Sequence, residues 1–337
     1  MVSFKEMKKH SFSIFPVIAL FLCIHFIYPG HYPLEFNGKM RLNQPALSLG
    51  DSSEIRIKVK DLSRKFLSFY DAASAGNLSE NARWLLWKRS YNFAAVPPTA
   101  QGDSMARKLL DNAWSRYPAI VAELKKGDLL GKPEPAGVLQ SVTGLLKPGK
   151  PMDVTILSYI GGFEDNAFTN VTNEGIIVAI PRESPTPTRE LLMTHEFTHA
   201  VQISMGCLSG GYIRSVGAIV VSEGLACRVT QSLHPNLGDG SFIEITPGWL
   251  QKCRDRQSEI LKDVKTHLKS SDPNDIMKYT MGKSDLGIDR EAYYAGWVVV
   301  QHWRAKGLTF AQIARIPEKD MPAKAEQAID ELLASGK

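Results

Sequence analysis

The spacing of apolar positions changes four times along the chain. A basic flank with Lys5, Lys8 and Lys9 precedes an uncharged apolar run from about Phe12 to Tyr28, which is the layout of a signal peptide or an N-terminal membrane anchor over residues 1–30. Residues 31–52 hold Pro, Gly and Asn with little periodicity and read as a linker. From 53 to 150, apolar residues recur three and four apart in EIRIKVKDLSRKFLSFYDAAS, SENARWLLWKRSYNFAAV and SMARKLLDNAWSRYPAIVAEL. That spacing predicts a helical N-terminal region with Phe66, Trp84, Trp87 and Trp114 in its core.

Near Pro151 the period shortens. MDVTILSYI and GIIVAIP are β-branched and bounded by Gly, Asn and Pro, as strands of a partly buried sheet are. A helix follows, with Thr186 expected as its cap, Pro187 at its first position and Glu190 in its first turn. SVGAIVVSEGLACRVTQSL predicts a second, apolar helix, and helical spacing dominates from Gly248 to the end. The pattern predicts an α+β fold with a core over 151–235 and a helical C-terminal subdomain over 236–337. Repeats and low-complexity tracts are absent from the sequence.

Composition narrows the function. With 337 residues, 44% of them hydrophobic, the chain can bury a proper core. The net charge of +5 is modest, and no Lys/Arg cluster is interleaved with aromatics, which excludes a nucleic-acid partner. The basic flank and apolar run together point to an extracytoplasmic protein, secreted or tethered to a membrane. Beyond Cys23, the cysteines Cys207, Cys227 and Cys253 fit neither a zinc ribbon nor a disulfide framework. They allow one bridge, or three small buried hydrophobes.

Candidate chemistry centres on LLMTHEFTHAVQ. His195 and His199, four apart on a helix, project from one face and can direct ring nitrogens at one ion. Glu196 lies at the edge of that face, where it can serve a metal-activated water as general base without ligating. A third histidine from the long protease pattern is excluded, because Gln202 and Met205 occupy its Gly and His positions. Between Val201 and Gly238 the one carboxylate is Glu223, set among Ile219, Val220, Ala226 and Cys227. A lone carboxylate on an apolar helix is costly unless a cation pairs with it; otherwise Glu223 is a helix-surface residue.

HEFTH followed by SEGLA resembles the gluzincins, zinc peptidases whose ligands are two histidines and a downstream glutamate. NAFTN, Asn166 to Asn170, resembles the substrate-binding edge strand of thermolysin-like enzymes. More broadly, FLSFYDAASAG, the SEGLA helix and YYAGWVVVQ resemble an uncharacterised bacterial family of predicted zinc-dependent proteases, over most of residues 60–305. The resemblance implies a zincin-like catalytic core of a small mixed sheet plus active-site helices. It implies Zn2+ held by His195, His199 and Glu223, hydrolysis of peptide bonds with Glu196 as base, and an extended peptide or protein substrate held near Asn166 and Ala167. The second functional reading is a catalytically weak or inactive cell-surface binding protein on the same scaffold.

Two further expectations follow from that resemblance. Such enzymes often carry an aspartate four residues after the glutamate ligand, orienting a histidine, and here that position is Cys227. A thiol is not expected to substitute, so another group or a backbone carbonyl should orient the ring. For the oxyanion, the candidates are His234, His267, His302, Tyr293 and Tyr294. Tyr-x-x-Gly, Tyr293 to Gly296, resembles the segment bearing the catalytic tyrosine in several gluzincins. Gly296 would let that helix approach a neighbour closely, which makes Tyr293 the expected donor and Tyr294 the second choice.

Overall fold

The computed structural model describes residues 55–96, 99–126, 132–211 and 214–336. The expected signal or anchor and the linker lie outside these residues. The chain runs β1 (Ile55–Asp61), α1 (Ser63–Ala75), α2 (Glu80–Ser90), α3 (Ala100–Ala113), α4 (Tyr117–Lys126) and α5 (Pro135–Leu146). Three strands follow, β2 (Met152–Tyr159), β3 (Phe168–Thr172) and β4 (Gly175–Pro181), then α6 (Thr186–Ser204) and α7 (Val216–Leu233). The remainder is helical: α8 (Gly240–Ile243), α9 (Trp249–Asp255), α10 (Gln257–His267), α11 (Pro273–Thr280), α12 (Glu291–Ala305), α13 (Phe310–Ala314) and α14 (Met321–Ala334). The architecture is α+β, with one small mixed sheet among many helices.

The sheet has the order β1-β2-β4-β3. β2 is parallel to both β1 and β4, and β3 is antiparallel to β4 at the edge. Side chains of successive strand residues point to opposite faces, and both faces are covered. Met152, Val154 and Ile156 of β2, with Val178 and Ile180 of β4, enter the core shared with α5, α6 and α7. Leu157, Tyr159 and Ala179 enter a second core with Phe66, Phe69, Trp87, Tyr91 and Tyr117 from α1 to α4. Double coverage explains why β2 and β4 read as near-continuous apolar runs rather than clean alternations.

Residues 55–61 correct the sequence reading, which placed them in a helix. Ile55, Ile57 and Val59 alternate with Arg56, Lys58 and Lys60, a period of two that fits a strand, and the apolar set packs on the core shared with α6 and α7. The register runs from Ile55 opposite Met152 to Asp61 opposite Ser158. Helix begins only at Ser63. α5 belongs to the same core through Val138, Leu139, Val142 and Leu146, so the region expected to be a separate helical layer supplies both a strand and a helix to the body that carries the motif.

α7 is the central helix. Every residue from Val216 to Thr230 is buried, as a helix that is apolar on all sides must be. Its Ser215 cap accepts from the Ala218 amide at 3.2 Å. Its most extensive partner is α12, and at the crossing two glycines meet. A Cβ on Gly224 would lie 2.2 Å from the Gly296 carbonyl oxygen, and a Cβ on Gly296 would lie 2.1 Å from the Val220 carbonyl oxygen. The backbones therefore touch directly, as Gly296 suggested. Among the described residues no helix is long and apolar enough to cross a membrane.

Gly224→Ala should lower stability by about 1–3 kcal/mol, the usual cost of overpacking, despite alanine's better helix propensity. Gly144, exposed inside α5 with nothing within 4 Å of its absent Cβ, is the control: Gly144→Ala should stabilise by up to about 1 kcal/mol. Urea denaturation of the two variants measures both, and an equal response would contradict the contact.

Candidate metal centre

α6 starts one residue from where the sequence placed it. Pro185 takes the cap position without a side-chain bond, Thr186 is the first helical residue, and Pro187 falls in the first turn. The Thr186 hydroxyl instead accepts from Arg189 Nη2 at 3.2 Å. No acidic residue lies in the first turn, so Glu190 comes later than expected. From this start α6 carries His195, Glu196 and His199 into the core, all of them buried, and α7 brings Glu223 to meet them at 1% exposure.

The donor atoms form a tight triangle. His195 Nε2 lies 3.1 Å from Glu223 Oε2, His199 Nε2 lies 3.4 Å from the same oxygen, and the two Nε2 atoms are 3.2 Å apart. A tetrahedral ion with bonds of about 2.0–2.1 Å sets its ligand atoms about 3.3 Å apart. Two imidazoles and a carboxylate at this spacing can hold a metal ion, and among the described residues no other group of three such side chains does so.

The surroundings separate the two glutamates. Burial pushes against ionisation of Glu223, but the His199 and His195 imidazoles outweigh it and hold its carboxyl well below the usual range. Burial dominates at Glu196 and raises its carboxyl, with the two imidazoles opposing. Glu196 is anchored from the edge strand. The Thr169 hydroxyl lies 2.8 Å from Glu196 Oε2 and 2.9 Å from its carbonyl oxygen, while Oε1 is buried without a protein partner. Thr169 was not foreseen from the sequence. Its one signal is a hydroxyl residue inside NAFTN, and the pairing across 27 residues needs the sheet to exist first.

Of the oxyanion candidates, Tyr293 has Glu223, Cys227 and Glu196 among its electrostatic neighbours. Its hydroxyl is buried without a partner, and burial, with the Glu223 and Glu196 charges, pushes the phenol well above its ordinary range. Tyr294 donates instead to Gln257 Oε1 at 2.9 Å. His302 pairs with Glu331 at 2.6 Å, His267 bonds Tyr279 at 2.9 Å, and His234 meets the Thr194 hydroxyl at 3.3 Å. Cys207, Cys227 and Cys253 are all free. Contrary to expectation, the group facing His195 Nδ1 is the Cys227 thiol, with Sγ at 4.0 Å.

Asn166 and Ala167 lie just before the edge strand rather than in it, and both are buried. The Asn166 side chain donates to the Ala95 carbonyl at 2.8 Å, and the Asn166 backbone carbonyl accepts from the Tyr159 hydroxyl. These bonds turn the Asn166 side chain into the fold and leave the backbone of Phe168–Thr172 as the sheet edge. The loop before it is fastened by Glu183, which accepts from the Gly161 amide at 2.9 Å and the Phe163 amide at 3.3 Å. Comparisons with known protein families, curated proteins and solved structures found no match to this chain.

Two outcomes are expected. Zn2+ should raise the melting temperature, reversibly with chelator. His195→Ala, His199→Ala and Glu223→Gln should each weaken binding by more than the about 10–100-fold typical of an outer partner, whereas Glu196→Gln should keep the metal. Undiminished affinity in Glu223→Gln would place the third donor elsewhere. Separately, burial and then the Glu164 charge push the Glu183 carboxyl from 4.5 up to about 8. The unfolded chain releases that proton first, so this group's contribution to stability is full below pH 4.5 and is lost as pH rises to about 8. Glu183→Gln keeps an amide oxygen for both N–H groups and should flatten that decline, read as melting temperature against pH.

Proposed function

We propose that this chain is a zinc-dependent peptidase of gluzincin type, with a zincin-like core, that hydrolyses peptide bonds of an extended peptide or protein substrate outside the cytoplasm. The observation that carries this reading is the triangle of His195, His199 and Glu223 donors, 3.1–3.4 Å apart and buried, with Glu196 beside it on the same helix. When bound, the ion supplies Lewis acidity and a water whose pKa falls toward about 7.

The protein's own groups take the remaining roles. Glu196 accepts the proton at Oε1, the oxygen that Thr169 leaves free, and returns it to the departing amine. Thr169 holds the other oxygen, so the base keeps one orientation. The unpartnered Tyr293 phenol donates to the substrate carbonyl oxygen as negative charge develops there. The free edge of β3 can take a peptide by strand addition, with Phe168–Thr172 rather than Asn166 as the docking segment. The extracytoplasmic placement is supported by the basic flank and apolar run alone.

The test is chelator-reversible cleavage of an unstructured protein by the chain loaded with about one equivalent of zinc. Glu196→Gln should retain zinc and lose turnover by about 10²–10⁴. Tyr293→Phe should keep fold and metal and lose about 10²–10³ in kcat. Thr169→Val should lose about 10–100-fold in kcat with zinc retained, and Thr169→Ser should recover most of it. Zinc uptake without hydrolysis of any peptide library would leave the binding-protein reading in its place.

A further inference from the structure

A ligating histidine is held in place by whatever its second ring nitrogen bonds. His195 directs Nε2 at Glu223 and His199, so Nδ1 points away from the donor triangle and toward α7. The atom it meets there is Cys227 Sγ at 4.0 Å, and among the described residues Nδ1 has no other hydrogen-bond partner. Cys227 is 2% exposed and sits one turn after Glu223 on the same helix. One face of α7 therefore supplies the third donor and the backing of the first. His199 differs, since its Nδ1 is buried with no protein partner.

We propose that Cys227 is a positioning residue of the metal centre: its sulfur accepts the His195 Nδ1–H and fixes the tautomer whose Nε2 lone pair is free for the ion. The inference rests on the metal reading above and deepens it. Sulfur is a weak acceptor, so its removal should cost less than removal of a carboxylate in the same place. The expected loss in zinc affinity is about tenfold, at the low end of the range for outer partners.

The test measures zinc affinity of the full chain by chelator competition. Cys227→Val fills nearly the same space without an acceptor and should leave the metal-free melting temperature unchanged while weakening zinc about tenfold. Cys227→Asp is a poorer core residue but a better acceptor, and should bind zinc at least as tightly as the parent. A role in packing alone would give the reverse order, with valine equal to the parent and aspartate worse, and that order would overturn the proposal. The valine variant decides the matter by itself if the aspartate variant does not fold. Cobalt substitution adds an independent readout. A cobalt–thiolate charge-transfer band in the parent, absent from Cys227→Val, would make the sulfur a ligand and overturn the positioning role. A parent that takes up neither Zn2+ nor Co2+ would instead overturn the metal reading, a result distinct from equal affinity in parent and valine variant.

Discussion

Direct backbone contact between α7 and α12 at Gly224 and Gly296 sets the dimensions of the centre. Helices whose contact residues carry side chains pack about 8–10 Å apart, and two facing glycines remove the atoms that enforce this separation. Gly224 immediately follows Glu223, and Gly296 lies one turn after Tyr293. The close approach thus couples the carboxylate donor to the phenol, while α6, which also packs on α7, supplies both imidazoles. A shift at the crossing would move Glu223 and Tyr293 relative to His195 and His199 together. Interiors are close-packed, so little slack remains to absorb such a shift.

Local periodicity made part of this arrangement readable in advance. His195, Glu196 and His199 follow from helical phase, and Glu223 from the cost of a lone carboxylate on an apolar helix; both arguments use residues within one or two turns. β2 and β4 were legible from β-branched runs for the same reason. β1 was not, because IRIKVKD alternates with period two directly before a helical stretch, and a long window averages the two. The positions at the strand edge illustrate a different limit. Whether Asn166 or Phe168 begins the edge depends on a bond from Asn166 to Ala95, 71 residues away. Thr169 reaches Glu196, and Cys227 reaches His195, only because sheet and helices are already in place.

The two buried glutamates of the candidate site show how position separates the surroundings of like groups. Glu196 is one residue, about 100° of helical turn, beyond His195, so its carboxylate leaves the donor triangle and finds the Thr169 hydroxyl on β3. Glu223 comes from the opposite helix and faces both imidazoles. The first is left with burial as its dominant influence and keeps a proton more readily; the second keeps its charge. Environments that push like groups apart in this way fit the proposed division, with Glu196 in proton transfer and Glu223 in charge compensation.

The distribution of unsatisfied atoms points in the same direction. Among the described residues, Glu196 Oε1, His199 Nδ1 and Tyr293 Oη are buried polar atoms with no protein hydrogen-bond partner. Phe197 and Ala200 of α6 and Val220 and Ala226 of α7, on the same helices as the donors, are fully buried and apolar. Replacing partnered polar groups by apolar ones of similar shape is often nearly neutral or stabilising, so packing gives no reason to keep these polar ones. The two buried tyrosines before the sheet edge are partnered instead: the Tyr91 hydroxyl donates to the Ile160 carbonyl and the Tyr117 hydroxyl to the Gly161 carbonyl, both at 2.8 Å, although Glu164 Oε1 and Glu183 Oε2 of the same region have no partner among the described residues. Unpartnered atoms exist elsewhere, on Gln202 for example, but those of Glu196 and Tyr293 stand beside three ready metal donors. On the proposed reading, an activated water and a substrate carbonyl oxygen are the groups that would meet these atoms.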